Sequence, residues 1–518
     1  MTIIDDTRYF PISSLPPLPP SDGTGDDDDH QQKSKKKSKK NDDDDVIVEE
    51  DYETLATQIL ENCIDEYENT NSGNLSDTLY VGRLGILVYL RIKLATGGSS
   101  SSNSSINYTE RKSSLLSKAK SEAESILQRA KKSCSNSGRR FRVSLLEGPY
   151  VGAICMLVHI LTFSGDSQGS RQYANELVSQ LSNVCGSMDA SECEVLYGRA
   201  GALQGIFYIR QVLDDTTFAS DFVVNMATHI LQVGLRTSQG YFTKASAKKD
   251  AAIPLLWMWH DTAYLGAAHG VVGILHTLLY LTSQEWQQVE RSRGLEGIQG
   301  KVQQSIDKMI SSPYYIYEGT GNFKSSLKLE RRQHHHHGHE ERDRLVHWCH
   351  GAPGLCMLLL RASQVYPQKQ QIYMNQAIQL AESVIYPRGV LQKGVGLCHG
   401  ISGNAYIFLS LSRYLSHHPQ NSEKASAAAV AASSSMSSSS SLIWIQRAEQ
   451  YATFAIRNLS TLQFVPDCPF SLYEGLGGFV SLLLDLATLK RRKAIGEEKF
   501  TSPPPSPPPM FPLYEFNL

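Results

Sequence analysis

Neither sign of charge dominates this chain: 50 Lys and Arg stand against 52 Asp and Glu over 518 residues. Without a basic excess there is no global nucleic-acid surface, and no nucleic-acid partner is expected. A paired cysteine framework is missing too, since the nine cysteines are scattered. With no N-terminal secretory signal, that scatter predicts a reducing compartment, the cytoplasm first, with nuclear or peripheral membrane placement left open. Thr2 excludes myristoylation, and no prenylation box closes the sequence. Nor is there a clean membrane span. The most apolar run, Ala263–Leu281, contains His269 and His276 with Gly266, Gly270 and Gly273. Polar groups at bilayer depth are costly, so this run reads as a buried helix of a soluble core and the protein as not transmembrane.

Core-forming residues are also scarce at the ends and in three inserts. Residues 1–50 run from Pro16–Pro20 through Asp26–Asp29 and Lys33–Lys40 to Asp42–Asp45. The Lys block alone would suit a nuclear address, but acidic runs on both sides favour a solvated, disordered segment. Arg8-Tyr9-Phe10-Pro11 differs in character and is expected to dock on the body. The inserts are Ser-rich residues 97–105, residues 324–342 with His334–His337 and His339, and residues 425–441 with a Ser tract. The His tract has no Cys partner, and low-complexity surface loops are the reading for all three. Residues 501–518 form a Pro-rich linker and an apolar tail, Met510–Phe516, that should pack back on the body.

Between these, over residues 51–500, a repeat sets the fold. Seven steps of small residues each precede an apolar helical run: Tyr80–Gly85, Leu146–Gly152, Leu196–Gly201, Ala268–Gly273, Cys349–Gly354, Cys398–Gly403 and Tyr473–Gly478. Between the steps lie one-faced stretches such as Leu55/Ile59/Cys63/Tyr67, Tyr173/Leu177/Leu181/Val184 and Ile372/Leu380/Val384. Seven inner helices alternating with seven outer ones describe an all-α, two-layer α/α toroid, with the glycine steps gathered at one end and little strand. A solenoid of helical hairpins is the alternative, but uneven spacing and long inserts favour a closed ring.

The fifth and sixth steps carry Trp348-Cys349-His350-Gly351 and Leu397-Cys398-His399-Gly400. Neighbours on a helix point about 100° apart, but in the irregular turn before a helix Cys398 and His399 can face one point. With Cys349 they make two thiolates and one imidazole. That donor set suits zinc, and three protein ligands with a fourth position open is the catalytic pattern. Two buried core cysteines beside glycines remain the competing reading.

These steps, with Ala267-Ala268-His269-Gly270 on the fourth, resemble the lanthionine synthetase C-like (LanC-like) family. The resemblance covers roughly residues 51–518. Arg8–Pro11, Arg342-Asp343, Lys393 five residues before Cys398, and Pro466-Asp467-Cys468-Pro469-Phe470 bring it closest to the eukaryotic branch. The resemblance implies one zinc held by Cys349, Cys398 and His399, with His269 as the proton-transfer residue and Arg342 matching a site arginine. It implies glutathione as a partner, with Lys393, Arg8, Pro466 and Asp467 in its pocket. The activity it implies is addition of a thiol to dehydroalanine or dehydrobutyrine in proteins or peptides, a glutathione transferase-like reaction. A non-catalytic, zinc- and glutathione-binding signalling scaffold is the other reading. Three positions depart from the family pattern. Glu147 stands one residue off the place where relatives carry Asp. His350 stands where bacterial cyclases often have Tyr. Phe464 replaces the Arg that opens a glutathione-contacting tetrapeptide, Arg-Thr-Pro-Asp, in animal relatives.

Overall fold

A computed structural model describes residues 3–4, 8–18, 51–69, 75–97, 105–136, 141–244, 249–327, 342–417, 441–494 and 509–518. The charged runs of residues 19–50, most of the three inserts and the Pro-rich linker lie outside the described residues, as does the side chain of Arg342.

Each glycine step opens a helix that is buried along most of its length. The second such helix, Pro149–Phe163, buries Tyr150 through Val158 without interruption, then Ile160 and Leu161. A helix hydrophobic all round belongs in an interior. The outer helix after it, Ser167–Cys185, buries Ser170, Ala174, Leu177, Leu181 and Cys185, one stripe at three- and four-residue spacing. Its start is fixed by Asp166, whose side chain accepts a hydrogen bond from the Gly169 amide at 2.8 Å. Burying a Leu such as Leu177 or Leu181 is worth about 2 kcal/mol, which is what ties the outer layer to the inner one.

Seven inner helices follow in order: Leu84–Tyr89 with Leu90–Gly97, Pro149–Phe163, Arg199–Leu213, Val271–Leu278, Ala352–Val365, Ile401–His417 and Leu476–Ala494. Each packs against the next, and the seventh packs back on the first. The outer layer is Tyr52–Asn69, Ser105–Asn136, Ser167–Cys185, Ser220–Lys244, Ile298–Ser311, Gln370–Leu380 and Ser441–Arg457. The ring is therefore closed, and the open solenoid is set aside. The regular structure among the described residues is helical, apart from a two-residue parallel pairing of Ile3–Ile4 with Arg342–Asp343 and four isolated antiparallel bridges.

The glycine steps are stitched together by backbone hydrogen bonds. The amide of Tyr80 donates to Leu146, Leu145 to Gly201, Val195 to Ala268, Cys349 to Cys398, Cys398 to Tyr473, and Tyr473 back to Tyr80, at 2.7–3.4 Å. The remaining contact is too close for any side chain, since a Cβ on Gly266 would lie 2.0 Å from the Cys349 carbonyl oxygen. That close approach is why the fourth step needs glycine there.

Two expectations need correction. The run Ala263–Leu281 is not one helix: only Val271–Leu278 is helical, and residues before it form the glycine step. No described helix is long and apolar enough to cross a membrane. In the sixth outer helix, Ile372 is 51% exposed, while Tyr373, Met374, Ala377 and Leu380 are buried. Of the three expected positions Leu380 and Val384 are buried and Ile372 is not, because Tyr373, seven residues before Leu380, lies on the buried face in its place.

Both ends of the chain dock. The Phe10 amide donates to the Val390 carbonyl at 2.8 Å, the Gln392 amide to the Arg8 carbonyl at 3.0 Å, and the Phe10 ring meets Phe454. The tail enters the hub of the ring. Phe511 and Tyr514 are fully buried against Trp348, Glu515 pairs with Ser410 and Arg413, and the Tyr473 hydroxyl donates to the Pro512 carbonyl.

Candidate metal centre

The fifth and sixth steps sit side by side because the Cys349 amide donates to the Cys398 carbonyl. Gly351, at φ 110°, turns the chain sharply after Cys349 into the helix that begins at Ala352, and a Cβ there would meet the Leu345 carbonyl. Cys398 and His399 occupy the non-helical turn before Ile401, so their side chains are free of helical geometry. Ligand atoms of Cys349, Cys398 and His399 lie within 4.8 Å of one another, so the cluster can hold a metal ion. The two cysteines are buried and His399 is partly so.

The donor set fits a cation for an electrostatic reason. Burial pushes the Cys398 thiol well above its ordinary range, and the hydrogen bond and charge of Cys349 push the same way. Two thiols packed this closely do not ionise without a positive partner. Burial pulls the His399 imidazole down, yet its contact with Cys398 and the charges of Cys398 and Glu474 outweigh that and leave it raised. The Tyr80 hydroxyl, stacked on Tyr473 at 4.8 Å, lies against Cys398 and is itself held up by burial and by the two thiols.

His269 follows Ala268 in the fourth step, with its side chain 15% exposed. Its Nδ1 donates to Glu194 at 2.8 Å. Glu194 is buried, and its carboxylate also accepts from the amides of Leu196 and Tyr197. Holding Nδ1–H this way leaves Nε2 as the nitrogen available for chemistry. Tyr264 links His269 to the metal cluster, its ring 6.1 Å from His269 and 5.8 Å from His350, the neighbour of Cys349. Glu147, the carboxylate that stands one residue off the family's Asp, is not the partner of His269. The structure instead pairs Glu147 with Arg142 at 2.7 Å, and Glu194 went unnoticed because nothing local marks it.

Lys393 is exposed and Arg8 half-buried on the same rim, and both act electrostatically on buried His347. The docked N-terminal segment thus brings Arg8 within electrostatic reach of His347. Pro466 packs close to Gly394, beside Lys393, while Asp467 is exposed and Phe464 is 64% exposed. The backbone of Arg342 pairs with Ile3, on the strand that leads into the fifth step.

A closed ring of helical repeats with two thiols and an imidazole converging on adjacent steps defines a class of ring-shaped protein with a metal-competent centre. Residues 111–496 match the model of the lanthionine synthetase C-like protein family, and the chain belongs to that family. It is 29% identical over 326 residues to a protein of Danio rerio named glutathione S-transferase LANCL1, covering 63% of this chain and 67% of that one. It is also 29% identical over 311 residues to the LanC-like protein GCL1 of Arabidopsis thaliana. That match covers 59% of this chain and 57% of the relative.

Proposed function

We propose that this protein is a zinc-dependent transferase that adds the glutathione thiol to dehydroalanine or dehydrobutyrine in proteins or peptides. The observation that carries the reading is the three-donor cluster of Cys349, Cys398 and His399 on the same ring face as the His269–Glu194 pair. The relative named as a glutathione S-transferase supports the choice of thiol. Zinc prefers this donor set, and when bound it would hold a substrate sulfur as the thiolate at neutral pH.

The chain's own residues do the rest. Lys393 and Arg8 bind the glutathione carboxylates by charge-assisted hydrogen bonds. His269 accepts the thiol proton at Nε2. The sulfur then bonds to the β-carbon of the dehydro residue, the double-bond electrons shift towards the α-carbon, and His269 returns a proton there. Glu194 keeps the imidazole in the tautomer that this requires. All eight described cysteines are free, which accords with a reducing compartment such as the cytoplasm.

The test is incubation with glutathione and a dehydroalanine peptide, followed by mass spectrometry. Wild type should form the adduct. Cys349→Ala should lose both zinc and adduct while keeping its helical signal, and His269→Asn should keep zinc but slow by ~10²–10⁴-fold. Full zinc content in Cys349→Ala would reject the metal site, and wild-type turnover in His269→Asn would make His269 a core histidine. Exposed Phe464, in place of a cation, favours one second reading, a zinc-binding scaffold without turnover, in which no adduct forms with any of the three.

A further inference from the structure

Trp259 lies outside the glycine steps, yet it makes the closest ring contact that His269 has. The indole and imidazole stack with centroids 3.9 Å apart and planes 2° from parallel. Tyr197 runs parallel to both, 6.0 Å from each and within 12°. The segment that presents Trp259 is a two-residue hairpin: the Trp259 and Thr262 amides each donate to the other's carbonyl at 3.0 Å. Its tip residues, His260 at φ 45° and Asp261 at φ 57°, both hold the left-handed conformation. That turn ordinarily takes Asn-Gly, so a His-Asp tip stores strain that the surroundings must hold in place. The hairpin is pinned by the next residues, where Tyr264 bridges Ser326 and the Leu265 amide donates to the Ser325 carbonyl.

We propose that Trp259, presented by this strained hairpin, is the positioning residue that fixes the plane of the His269 imidazole for proton transfer. Glu194 constrains His269 at one atom only. A hydrogen bond at Nδ1 sets a direction but leaves the soft ring torsion of histidine free to swing. The stacked indole removes that freedom, so Nε2 keeps one heading. When the ring takes up the thiol proton it becomes cationic, and an aromatic face stabilises the charged ring more than the neutral one. Glu194 sets the orientation within the plane, and Tyr197, Tyr264 and His350 are further titratable groups around His269. The two constraints are complementary, one within the ring plane and one across it.

The proposal rests on His269 as the proton-transfer group, and a double-mutant cycle separates the two. Addition of glutathione to a dehydroalanine peptide is followed in the zinc-loaded full chain for wild type, Trp259→Leu, His269→Asn and the double variant. Trp259→Leu should lower kcat by about tenfold to a hundredfold, as small misplacements of catalytic groups do, without moving the glutathione KM or zinc content. Trp259→Phe, which keeps a flat face, should recover most of the rate. In the His269→Asn background Trp259→Leu should change kcat by less than about twofold, because a residue acting through another has nothing left to act on. Equal losses in both backgrounds, or an unchanged kcat in Trp259→Leu beside a slow His269→Asn, would overturn the proposal and leave the functional reading standing. Wild-type turnover in His269→Asn would overturn both. If Trp259→Leu does not fold, Trp259→Met, which keeps bulk without the flat face, takes its place in the same cycle.

Discussion

Glu147 carries an ionisation that the ring has moved. Burial pushes its carboxyl up to about 7, Arg142 pulls against it, and the charges of Glu474 and Glu194 add to the push. An unfolded chain releases that proton near the ordinary value of 4.5. Between the two, the folded state holds a proton that the unfolded state has lost. Stability from this group is then fully present below the unfolded value and is lost as pH rises through the folded one. A shift of this size is worth on the order of 3 kcal/mol. Glu147→Gln cannot ionise, so calorimetric scans should find its Tm near wild type at about pH 5 and above wild type at about pH 8. The same difference at both pH values would place the titration on another group. At the proposed glutathione pocket, Lys393→Ala should weaken glutathione by about tenfold to a hundredfold, since a charge-assisted hydrogen bond contributes ~1.5–3 kcal/mol. Phe464→Arg should tighten binding in the same titration calorimetry, and unaltered affinity in Lys393→Ala would remove that lysine from the pocket. Cys349, Cys398 and His399 were legible in the sequence because each occupies a repeated glycine step. Glu194 was not, because only the packing of the third step against the fourth brings it to a histidine 75 residues further on.

Helices were legible where their apolar pattern was unambiguous, as in Pro149–Phe163, and less so where glycine steps and helix shared one apolar run. In Ala263–Leu281, hydropathy reports burial, and burial is common to the step and the helix alike; it does not distinguish them. A charged group buried between elements leaves even less trace. Arg210, in the third inner helix, forms a two-pronged ion pair with Glu285, and both side chains are 1% exposed. Glu285 also closes the capping box that begins the short helix Ser283–Glu290, accepting from the Thr282 amide at 2.9 Å. One carboxylate thus fastens an inner helix to the start of the segment after the fourth. Arg210→Met would strand that carboxylate, and breaking such a pair costs about 3–5 kcal/mol. Urea denaturation should register a loss of that size. A loss under about 1 kcal/mol would mean that Glu285 is neutralised by other groups.

At the scale of the molecule, the hub is filled by the chain's own tail. Trp348, beside Cys349, rests on Phe511 and Tyr514, and Tyr473, whose carbonyl holds the Cys398 amide, donates to Pro512. Both ligand-bearing steps therefore lean on residues 511–514. Phe511→Ala should cost about 3–5 kcal/mol, and it should also raise the zinc dissociation constant in chelator competition. Lost stability with unchanged zinc affinity would show that the tail supports the ring but not the ligands. The docking of this tail was legible from its apolar sequence, but its place beneath the cysteines was not, since no periodic signal links residue 511 to residue 348.

The hydrogen bond from Tyr473 to Tyr80 joins the seventh step to the first. A linear stack of helical repeats has two exposed terminal units, each with one neighbour, and it frays from those units inward. Here every inner helix has two neighbours, so there is no weakest unit at which opening begins. Amide exchange in the seven inner helices should consequently be governed by one shared opening event, with the helices of the first and seventh steps protected as well as those opposite them.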